Sequence, residues 1–593
     1  MIKLSDFVFQ YLADRGVEDV FMLSGGGCMH LVNSLGKNNK IRYVCCLFEQ
    51  AVSVAAGAYA QYRNGLGVGL VTTGPGGTNA ITGVASAWTD SIPLLIISGQ
   101  VKTSDISNQT VRTLGFQELD IVSVVKPITK YAVTVKNPDD IAYELEKCIH
   151  FALSGRPGPV WLDIPLDVQA AMIDQDVLKH FEPEEKNLTD GNLLSVWEML
   201  KQAKRPVILA GYGIKTSKGR DDFYRLMEKL QIPVLLTWKA MDLLEEDCPY
   251  YYGRPGCIGQ RCANFIQQNA DLILTIGARL DFGQIGYEYD EFARGAKKII
   301  VDIDQKELDK FKFRTDLLVN MDAGDFIRKL LDIIGEESAS LPLEWKNYCD
   351  RLKKRFPVVS ECEYKPGDGA GTYYLMEVLN KLTDRNTVFA PGNSGACSEI
   401  FCQSYKVKEG QRIVTTNTLG SMGTGLPAAI GACVSSGEHT TVCVNGDGGF
   451  QMNIQDLETI HRLNLPIKFF ILNNGGYGSI RNSQNNYFGG FYVGAEASSG
   501  VTLPETERIA YAYKIPFFRI TTDAETEEIV KKCLVTDGPV ICELMVSKQE
   551  MTLPRTKSVV LENGKMKSMP LEDLYPFLDR KEFEQIMSIS KGE

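Results

Sequence analysis

The chain has 593 residues, of which 44% are hydrophobic and 23% charged, and its formal net charge is −11. This length predicts about three or four domains, and the composition is typical of globular proteins. The negative charge argues against nucleic acid or an anionic membrane surface as the main partner. No apolar run reaches the roughly 18 residues that a membrane-spanning helix needs. The 15 cysteines include no CxxC pair, which predicts buried free thiols in a reducing cytoplasm.

Short apolar segments alternate with helical patterns of about 10–15 residues along most of the chain. This alternation predicts parallel β-sheets covered by helices on both faces, and hence an α/β fold of doubly wound domains. In chain order, the predicted strands are 41–47, 68–72, 94–98, 160–164, 207–210, 234–237, 272–276, 298–303, 387–390, 413–415, 441–444, 467–472 and 540–546.

Two polar stretches predict linkers between domains. Residues 174–191 are rich in Asp, Glu, Lys and Pro, and residues 364–371 are rich in Gly, Pro and Asp. The chain is thereby divided into three domains and a charged, proline-containing tail, which we expect to wrap over the surface. The three domains and the tail are 1–175, 190–350, 370–550 and 551–593.

The segment TVCVNGDGGF at 441–450 predicts a strand followed by a Gly-Asp-Gly turn. A predicted helix over 452–463 and a strand over 467–472 then lead to a pair of asparagines. Asp447 and Asn474 therefore follow the C-terminal ends of parallel strands, the edge at which ligands bind in open α/β sheets.

The residue types at this edge favour magnesium and a diphosphate. A carboxylate from Asp447, an amide oxygen from Asn474 and a backbone carbonyl, which we expect from Gly476, are hard oxygen ligands of the kind that magnesium prefers. Neighbouring glycines allow the main chain to approach a diphosphate closely. A lone Gly-Asp-Gly tripeptide is usually an ordinary turn, but the flanking strands and the asparagine pair favour the binding site. The glycines are Gly446, Gly448 and Gly449.

This spacing resembles the thiamine diphosphate motif, and roughly residues 1–550 resemble the acetohydroxyacid (acetolactate) synthase and pyruvate oxidase family. The resemblance implies thiamine diphosphate and Mg²⁺ as cofactors. It assigns the first domain to the cofactor's pyrimidine, the second to a Rossmann-like, flavin-domain-like fold and the third to the diphosphate and metal. Further cofactor contacts are expected at Gly26, Tyr477, Gly478, Ser479 and Ile480.

In the first domain, the resemblance rests on three segments. Glu49 in Phe48-Glu49-Gln50 matches the glutamate that hydrogen-bonds the pyrimidine N1′ and promotes the imino tautomer, although Phe48 stands where relatives often have His. The segment TTGPGGTN at 72–79 places Gly74, Pro75 and Asn79 near the pyrimidine. The segment LGFQELD at 114–120 matches residues that face the thiazolium and the substrate, which are Phe116 and Gln117 here.

In the third domain, NTLGSMGTGLPAAIGA at 417–432 matches the segment that supports the bent cofactor. Met422 would hold that bend, and the backbone of Gly420 would contact the aminopyrimidine. The bend brings the imino nitrogen against the reactive carbon, which raises their effective concentration. The segment PGNSGA at 391–396 places Asn393 and Ser394 at the diphosphate.

The middle domain contains GYG at 211–213, GARLDFGQIG at 277–286 and VDID at 301–304. These segments resemble the flavin-binding domain of the same family. A strand that ends in acidic residues, Asp302 and Asp304, suits a ribose or adenine contact. Such domains often persist without flavin, so FAD binding stays open.

Three departures from the synthases concern the acceptor side. Leu166 stands at the position of their lysine, Ser479 at that of a methionine and Ser483 at that of a tryptophan. We therefore expect a 2-oxo acid such as pyruvate to be decarboxylated and its acyl unit joined to a different, larger carbonyl acceptor. Segments such as LSGGGCMH at 23–30 resemble synthase-like proteins of surface-polysaccharide pathways, which makes a nucleotide-linked keto sugar one candidate acceptor.

Other functions stay open. Acetolactate synthesis from pyruvate alone is the first alternative, and a 2-oxo-acid decarboxylase is the second. Decarboxylases of this group use an adjacent histidine pair, whereas none of the 5 histidines here are adjacent. His30 is either an active-site residue or a surface residue at a helix start. A non-catalytic paralogue is disfavoured, because Glu49, Asp447 and Asn474 are all present.

The resemblance also implies an assembly. In the family, the cofactor lies between the first domain of one subunit and the third domain of another. Since Glu49 and Asp447 belong to different domains, we expect a homodimer or homotetramer with active sites between subunits. The expected partners are otherwise small molecules, with neither nucleic acid nor membrane among them.

Overall fold

The computed structural model describes residues 1–108, 110–183, 192–337, 341–357, 369–393, 395–560 and 566–591. Three parallel β-sheets form the framework, with six, five and six strands in chain order. Their strands are short, largely apolar runs, as expected for sheets that helices cover on both faces. The α/β fold predicted from the sequence is confirmed. The exact domain boundaries stay a prediction, and parts of both predicted linkers lie outside the described residues.

The first sheet has the strand order β3-β2-β4-β5-β7-β6, and a two-stranded ribbon pairs β1 with β8. The strands are β1 Ile2–Lys3, β2 Asp19–Met22, β3 Arg42–Cys45, β4 Gly67–Val71, β5 Leu94–Gln100, β6 Tyr131–Thr134, β7 Val160–Pro165 and β8 Met172–Ile173. The helices are α1 Leu4–Asp14, α2 Met29–Lys37, α3 Glu49–Arg63, α4 Pro75–Asp90, α5 Ile121–Val125, α6 Ile141–Leu153 and α7 Leu166–Ala170.

The central sheet has the order β10-β9-β11-β12-β13. Its strands are β9 Pro206–Ala210, β10 Val234–Leu236, β11 Leu272–Ile276, β12 Lys297–Asp302 and β13 Leu317–Asn320. The helices of this part are α8 Leu193–Gln202, α9 Gly213–Thr216, α10 Arg220–Leu230, α11 Arg261–Asn269, α12 Phe282–Ile285, α13 Gln305–Asp309, α14 Ala323–Ile334 and α15 Leu343–Arg355.

The third sheet has the order β15-β14-β16-β17-β19-β18. Its strands are β14 Val388–Phe389, β15 Arg412–Ile413, β16 Thr441–Gly446, β17 Ile467–Asn473, β18 Phe517–Ile520 and β19 Val540–Met545. The helices are α16 Thr372–Leu382, α17 Gly395–Ser404, α18 Gly425–Ser435, α19 Asp447–Gln451, α20 Leu457–Leu463, α21 Gly478–Phe488, α22 Thr506–Ala512 and α23 Asp523–Val535.

The first and third sheets share one topology. In each, the second strand of the sheet lies at the edge, followed by the first, third, fourth, sixth and fifth strands. The strand order therefore reverses between β2 and β4 in one sheet and between β14 and β16 in the other. Ligands of doubly wound sheets bind at such a reversal, beyond the carboxyl ends of the strands.

All thirteen predicted strands are present, with small differences at their ends. The sequence prediction missed four strands of the three sheets. Three of them, β6, β13 and β18, lie at sheet edges and are only partly buried. The fourth, β2, begins with the charged Asp19, which is buried against Arg42 and disguises the apolar pattern.

The predicted helix over 452–463 is wrong in its boundaries. A short helix, α19, already begins at Asp447, and α20 begins only at Leu457. Between them, Asn453 has a φ of 72°, a left-handed conformation that interrupts a helix. The turn after β16 is therefore also a helix N-terminus.

Helices α3 and α18 join the first and third parts of the chain through a close backbone contact. A Cβ atom on Gly431 would lie 2.0 Å from the carbonyl oxygen of Ala55, so only glycine fits at this crossing. Small residues dominate both helices, and they share one apolar core. The crossing therefore holds the first part of the chain firmly against the third.

The C-terminal tail lies against the central part. It contains the hairpin β20 Ser558–Val560 and β21 Met566–Ser568, and the helix α24 Arg580–Met587. Buried side chains of α11 hold its backbone: Arg261 donates to the carbonyl of Leu574 at 2.9 Å, and Asn264 donates to that of Leu571 at 2.6 Å. The predicted surface-wrapping tail is thus fixed by specific hydrogen bonds.

Two further sequence predictions concern the cysteines and membrane-spanning helices. The 14 cysteines in the described part of the chain are free thiols, and all but Cys45 are buried. No helix in that part is long and apolar enough to span a bilayer.

The α3–α18 crossing makes a stability prediction. We expect Gly431→Ala to lower the free energy of unfolding by about 1–3 kcal/mol, because the added methyl group must displace the backbone of α3. As the control, Gly36 is an exposed glycine of α2 with no atom within 4 Å of a built Cβ. Gly36→Ala should be neutral or stabilise by up to ~1 kcal/mol. Thermal and urea unfolding of both variants measure the difference; equal stability of the two variants would contradict the close crossing.

Candidate active site

Asp447 is the first residue of α19 and only 5% exposed. Its Oδ1 accepts a hydrogen bond from the backbone N–H of Gly448 at 2.8 Å, and its Oδ2 accepts one from Gly476 at 3.0 Å. Burial raises the pKa of Asp447, and these backbone donors and the charge of Arg481 oppose the rise. The carboxylate is therefore held in a fixed orientation at the end of β16.

Two glycines allow the chain to close around this carboxylate. A Cβ on Gly448 would lie 2.4 Å from the ring of Tyr477, and a Cβ on Gly476 would lie 2.4 Å from the carbonyl oxygen of Ala495. Gly476 also has a φ of 141°, a conformation that favours glycine. The backbone after Asn474 can thus fold back onto Asp447.

Asn474 follows the last residue of β17 and is half-buried. Its Oδ1 accepts a hydrogen bond from Nη2 of Arg481 at 2.9 Å. An amide oxygen has two lone pairs, so this bond leaves one for a metal ion. The arginine fixes which end of the amide is the acceptor.

Asn393, after β14, is buried, and its amide nitrogen already donates hydrogen bonds within the protein. Its Nδ2 donates to the carbonyl of Thr416 at 3.0 Å and to the hydroxyl of Thr424 at 2.7 Å. Its Oδ1 has no hydrogen-bond partner among the described residues. An acceptor oxygen cannot donate to a phosphate, so the predicted diphosphate contact of Asn393 stays a prediction without support from its bonding. Ser394 lies outside the described residues.

A single cleft of about 2920 Å³ contains most of the residues predicted for the cofactor. Met422 is half-buried and Gly420, with a φ of 67°, is exposed. The predicted residues that line this cleft are Asn393, Gly420, Met422, Gly446, Asp447, Gly448, Gly449, Asn474, Gly476, Tyr477, Gly478, Ser479 and Ile480.

A second cluster forms at the corresponding edge of the first sheet. Glu49 is the first residue of α3 and 8% exposed, and its Oε2 accepts a hydrogen bond from Nδ2 of Asn79 at 3.0 Å. Pro75 begins α4 after Gly74, where a Cβ would lie 2.3 Å from the carbonyl oxygen of Gln117. The structure therefore brings Glu49, Asn79, the Gly74-Pro75 turn and Gln117 together.

The remaining predicted residues of this cluster lie on the surface. Gly26 is exposed in a short 3₁₀ turn after β2. The next residue, Gly27, donates its backbone N–H to the hydroxyl of Thr72 at 3.2 Å. Phe116 is 88% exposed, and Gln117 is exposed with a φ of 64°. The left-handed backbone of Gln117 is strained, and such strain is often found at functional sites.

In the described part of one chain, the cluster around Glu49 lies outside the large cleft. Among the described residues that line the large cleft, neither Glu49 nor Asn79 occurs, and neither do the other predicted residues of the first part: Gly26, Pro75, Phe116 and Gln117. The single chain thus separates the predicted pyrimidine residues of its first part from the predicted diphosphate residues.

Comparison with known proteins identifies the family. Residues 2–124, 193–330 and 393–544 match the N-terminal TPP binding domain, the central domain and the C-terminal TPP binding domain of thiamine pyrophosphate enzymes. The chain is 30% identical over 571 residues to the acetolactate synthase large subunit of Cyanidium caldarium, covering 93% of this chain and 95% of that protein. The chain belongs to the acetolactate synthase family of thiamine pyrophosphate enzymes.

Other relatives agree. The chloroplastic acetolactate synthase of Arabidopsis thaliana is 31% identical over 570 residues, 94% of this chain and 83% of that protein. The acetolactate synthase isozyme 1 large subunit of Escherichia coli K12 is 29% identical over 552 residues, 93% of this chain and 95% of that protein. These matches confirm the resemblance and the enzymatic character that were predicted from the sequence. The individual site residues stay predictions.

The residues of this thiamine pyrophosphate enzyme fit a magnesium diphosphate group. One carboxylate, one amide oxygen and a glycine-lined backbone leave coordination positions for phosphate oxygens, as magnesium prefers. No group of three or more His, Cys, Asp or Glu residues forms a metal cage in the described part of the chain. A magnesium ion that shares its ligands with a diphosphate needs no such cage.

Sequence reasoning missed two residues at the enzyme's site. One is Arg481 beside Asn474. The other is Asp456, which is fully buried and accepts a hydrogen bond from the backbone N–H of Leu47 at 2.9 Å, two residues before Glu49. Burial raises the pKa of Asp456 to about 6. Arg481 is the one charged residue of the segment 478–488, whereas Asp456 lies close to Glu458 and Arg462, so no sequence signal marks it.

The cluster around Glu49 makes a prediction for the enzyme. We expect Glu49→Gln to lower turnover by about 10²–10⁴-fold, because an amide cannot exchange the proton that a carboxylate exchanges. Cofactor affinity should change little, because the cleft around Asp447 is untouched. As the control, Glu18→Gln alters a surface carboxylate that is paired with Arg63 and 59% exposed. Steady-state rates and calorimetric binding of thiamine diphosphate test this; full activity of Glu49→Gln would contradict the assigned role.

Proposed function

We propose that this enzyme decarboxylates pyruvate or a similar 2-oxo acid and joins the acyl unit to a carbonyl acceptor. The observation that supports this most is the presence of two sites at equivalent edges of two sheets. At one edge, Asn79 holds a glutamate; at the other, oxygen atoms suited to bind a metal ion surround Asp447. The carbon–carbon bond between the carboxylate and the 2-oxo carbon of the acid breaks, with loss of CO₂. A carbon–carbon bond forms between the acyl carbon and the acceptor carbonyl carbon, and the acceptor oxygen takes up a proton.

The cofactor, when bound, supplies a thiazolium ring that stabilises negative charge on the acyl carbon. In this proposal, Asp447, Asn474 and the carbonyl of Gly476 would hold Mg²⁺ together with the diphosphate. The glycines around Asp447 bring backbone N–H groups close to the phosphates. These residues bind and orient; they transfer no proton.

In this proposal, the cluster around Glu49 carries out proton transfer. Glu49 would bind the pyrimidine N1′ and hold a proton there, with Asn79 fixing its Oε2 at 3.0 Å. Asp456 would position the backbone that carries Glu49. Gln117 and Phe116 would face the substrate, and Met422 would support the bent cofactor. Each of these roles combines the family resemblance with the position of the residue.

The wall of the cleft beside Asn474 supports a polar acceptor. Helix α21 presents Ser479, Asn482, Ser483 and Asn486 to the cleft, beside Ile480 and Tyr487. Among the described residues, the hydroxyl of Ser483 donates to the carbonyl of Ser479 at 3.0 Å, along the helix. Small polar side chains leave room and hydrogen-bonding groups where a bulky apolar residue would exclude both. A nucleotide-linked keto sugar is a candidate acceptor that suits such a wall.

A second candidate function is acetolactate synthesis from pyruvate alone. The names of the relatives favour it, since they are acetolactate synthases that match most of this chain. The two functions share the donor half of the reaction. They differ only in the molecule that accepts the acyl unit.

The central part offers a further cofactor site. Tyr212, Gly213, Arg279 and the acidic end of β12 at Asp302 line the same large cleft. FAD is the candidate ligand there by family resemblance. Neither the decarboxylation nor the carboligation requires electron transfer, so the proposed reaction does not depend on it. The absorption spectrum of the purified protein between 350 and 500 nm (roughly the flavin bands) decides whether it is carried.

We also propose a homodimer or homotetramer whose active sites combine Glu49 of one subunit with Asp447 of another. The exposed Phe116 and the absence of Glu49 from the described lining of the cleft support this. Glu49→Gln and Asp447→Asn should each be inactive alone. In a co-expressed mixture, the mixed dimer contains one site with both native carboxylates.

Random pairing then restores about one quarter of the native activity, because half of the dimers carry one intact site in two. The measurement is the activity of the co-expressed pair relative to each variant alone. Co-expression of two differently tagged Glu49→Gln chains is the control and should stay inactive. No restored activity in the mixed pair would place both carboxylates of a site in one chain.

The substrate proposal is tested with donor and acceptor pairs. Purified enzyme with thiamine diphosphate and Mg²⁺ should release CO₂ from pyruvate and give a mass increase of one acetyl unit on a nucleotide-linked keto sugar. Product analysis by mass spectrometry separates this from acetolactate. Acetolactate formed equally with and without the sugar supports the second candidate, and absence of CO₂ release from any 2-oxo acid contradicts both.

A further inference from the structure

Arg481 is the one buried side chain in helix α21, among the described residues, and it is 3% exposed. Most of the residues around it in the helix are polar, with the exposed Ile480 beside it, and all of them are partly or fully exposed. Arginine is almost never fully buried unless it is paired with a partner. Its position, seven residues after Asn474, therefore calls for a physical reason.

The guanidinium is only partly satisfied by the protein. Nη2 donates to the backbone carbonyl of Asn474 at 3.0 Å and to its side-chain Oδ1 at 2.9 Å. Nη1 lies 3.9 Å from Oε2 of Glu496, beyond hydrogen-bond distance. Nε and Nη1 have no hydrogen-bond partner among the described residues. A buried cation with unpaired donors is costly unless something else compensates it.

The charges around Asn474 show what could compensate it. Asp447 and Glu496 carry negative charge, and Arg481 and Lys548 carry positive charge; Lys548 lies 3.1 Å from Glu496 and is 60% exposed. The four charges sum to zero. A magnesium ion alone would add positive charge beside a buried guanidinium, whereas a magnesium ion together with a diphosphate adds net negative charge. The arginine thus disfavours the first ligand and favours the second.

We propose that Arg481 is a positioning residue that holds the Asn474 amide oxygen for the metal and makes metal binding depend on the diphosphate. The double contact with Asn474 fixes the orientation of the amide. The buried charge penalises Mg²⁺ without its anion and supports the combined group. This inference rests on the proposed function only in taking Asn474 as a metal ligand.

The test measures binding by the full-length protein after removal of metal and cofactor, so it needs no turnover. Calorimetry gives the affinity for thiamine diphosphate at saturating Mg²⁺, and separately the affinity for Mg²⁺ without diphosphate. The variants are Arg481→Gln, which removes the charge, and Arg481→Lys, which keeps it but not the planar double donor. The control is Arg508→Gln, at an 81% exposed arginine paired with Glu505 on the surface.

For Arg481→Gln, we expect about a tenfold or larger loss of affinity for thiamine diphosphate, with Mg²⁺ alone bound as well as before or better. Arg481→Lys should retain part of the metal–diphosphate coupling, and Arg508→Gln all of it. The same affinity for thiamine diphosphate in Arg481→Gln as in the native protein would overturn the proposal. A parallel loss of affinity for Mg²⁺ alone would overturn the dependence on the diphosphate.

Folding is followed separately by thermal unfolding of the cofactor-free variants. If Arg481→Gln does not fold, Arg481→Lys carries the test: it should bind thiamine diphosphate at least about threefold more weakly than the native protein. An unchanged affinity in Arg481→Lys would then overturn the positioning role. Failure of the carboligation assay leaves these binding results untouched, so the two proposals fail independently.

Discussion

The crossing of α3 and α18 is the contact on which the arrangement of the site depends. Gly431 leaves no space between the two helices at Ala55, so their spacing is set by backbone atoms rather than by adjustable side chains. Glu49 begins α3, and Met422 lies just before α18 begins at Gly425. A shift in the crossing would therefore change the position of Glu49 relative to Met422, two residues that are predicted to contact the cofactor.

The predicted site for the anionic diphosphate is built mainly from backbone groups. The chain has a net charge of −11, and the predicted diphosphate site uses backbone N–H groups, one carboxylate and one buried arginine. A metal ion and oriented amides can hold a diphosphate where clustered lysines are absent. Selectivity then comes from geometry at the end of β16 and β17 more than from long-range attraction.

The sequence predicts the parts of this protein in which local pattern and function coincide. Asp447 and Asn474 are predictable because strand, turn and helix fix their separation along the chain. Asp456 is not, because its contact with Leu47 spans 409 residues and depends on how two parts of the chain meet. Arg481 is not either: most of the residues around it in α21 are polar, and only its packing against Asn474 and Glu496 shows that it is buried. The edge strands β6, β13 and β18 were not predicted from the sequence because partial burial weakens their apolar pattern.

The shared strand order of the first and third sheets has a consequence for how such a catalyst is built. Each sheet ends in an equivalent edge, and each edge carries one acid, Glu49 in one and Asp447 in the other. In the proposed function, one scaffold used twice would perform two tasks: Glu49 would exchange a proton with the pyrimidine ring, and Asp447 would bind a cation. In the proposed dimer, four equivalent edges would pair crosswise into two centres. Two sheets with the same strand order can therefore serve different chemistry when a few side chains at matching positions differ.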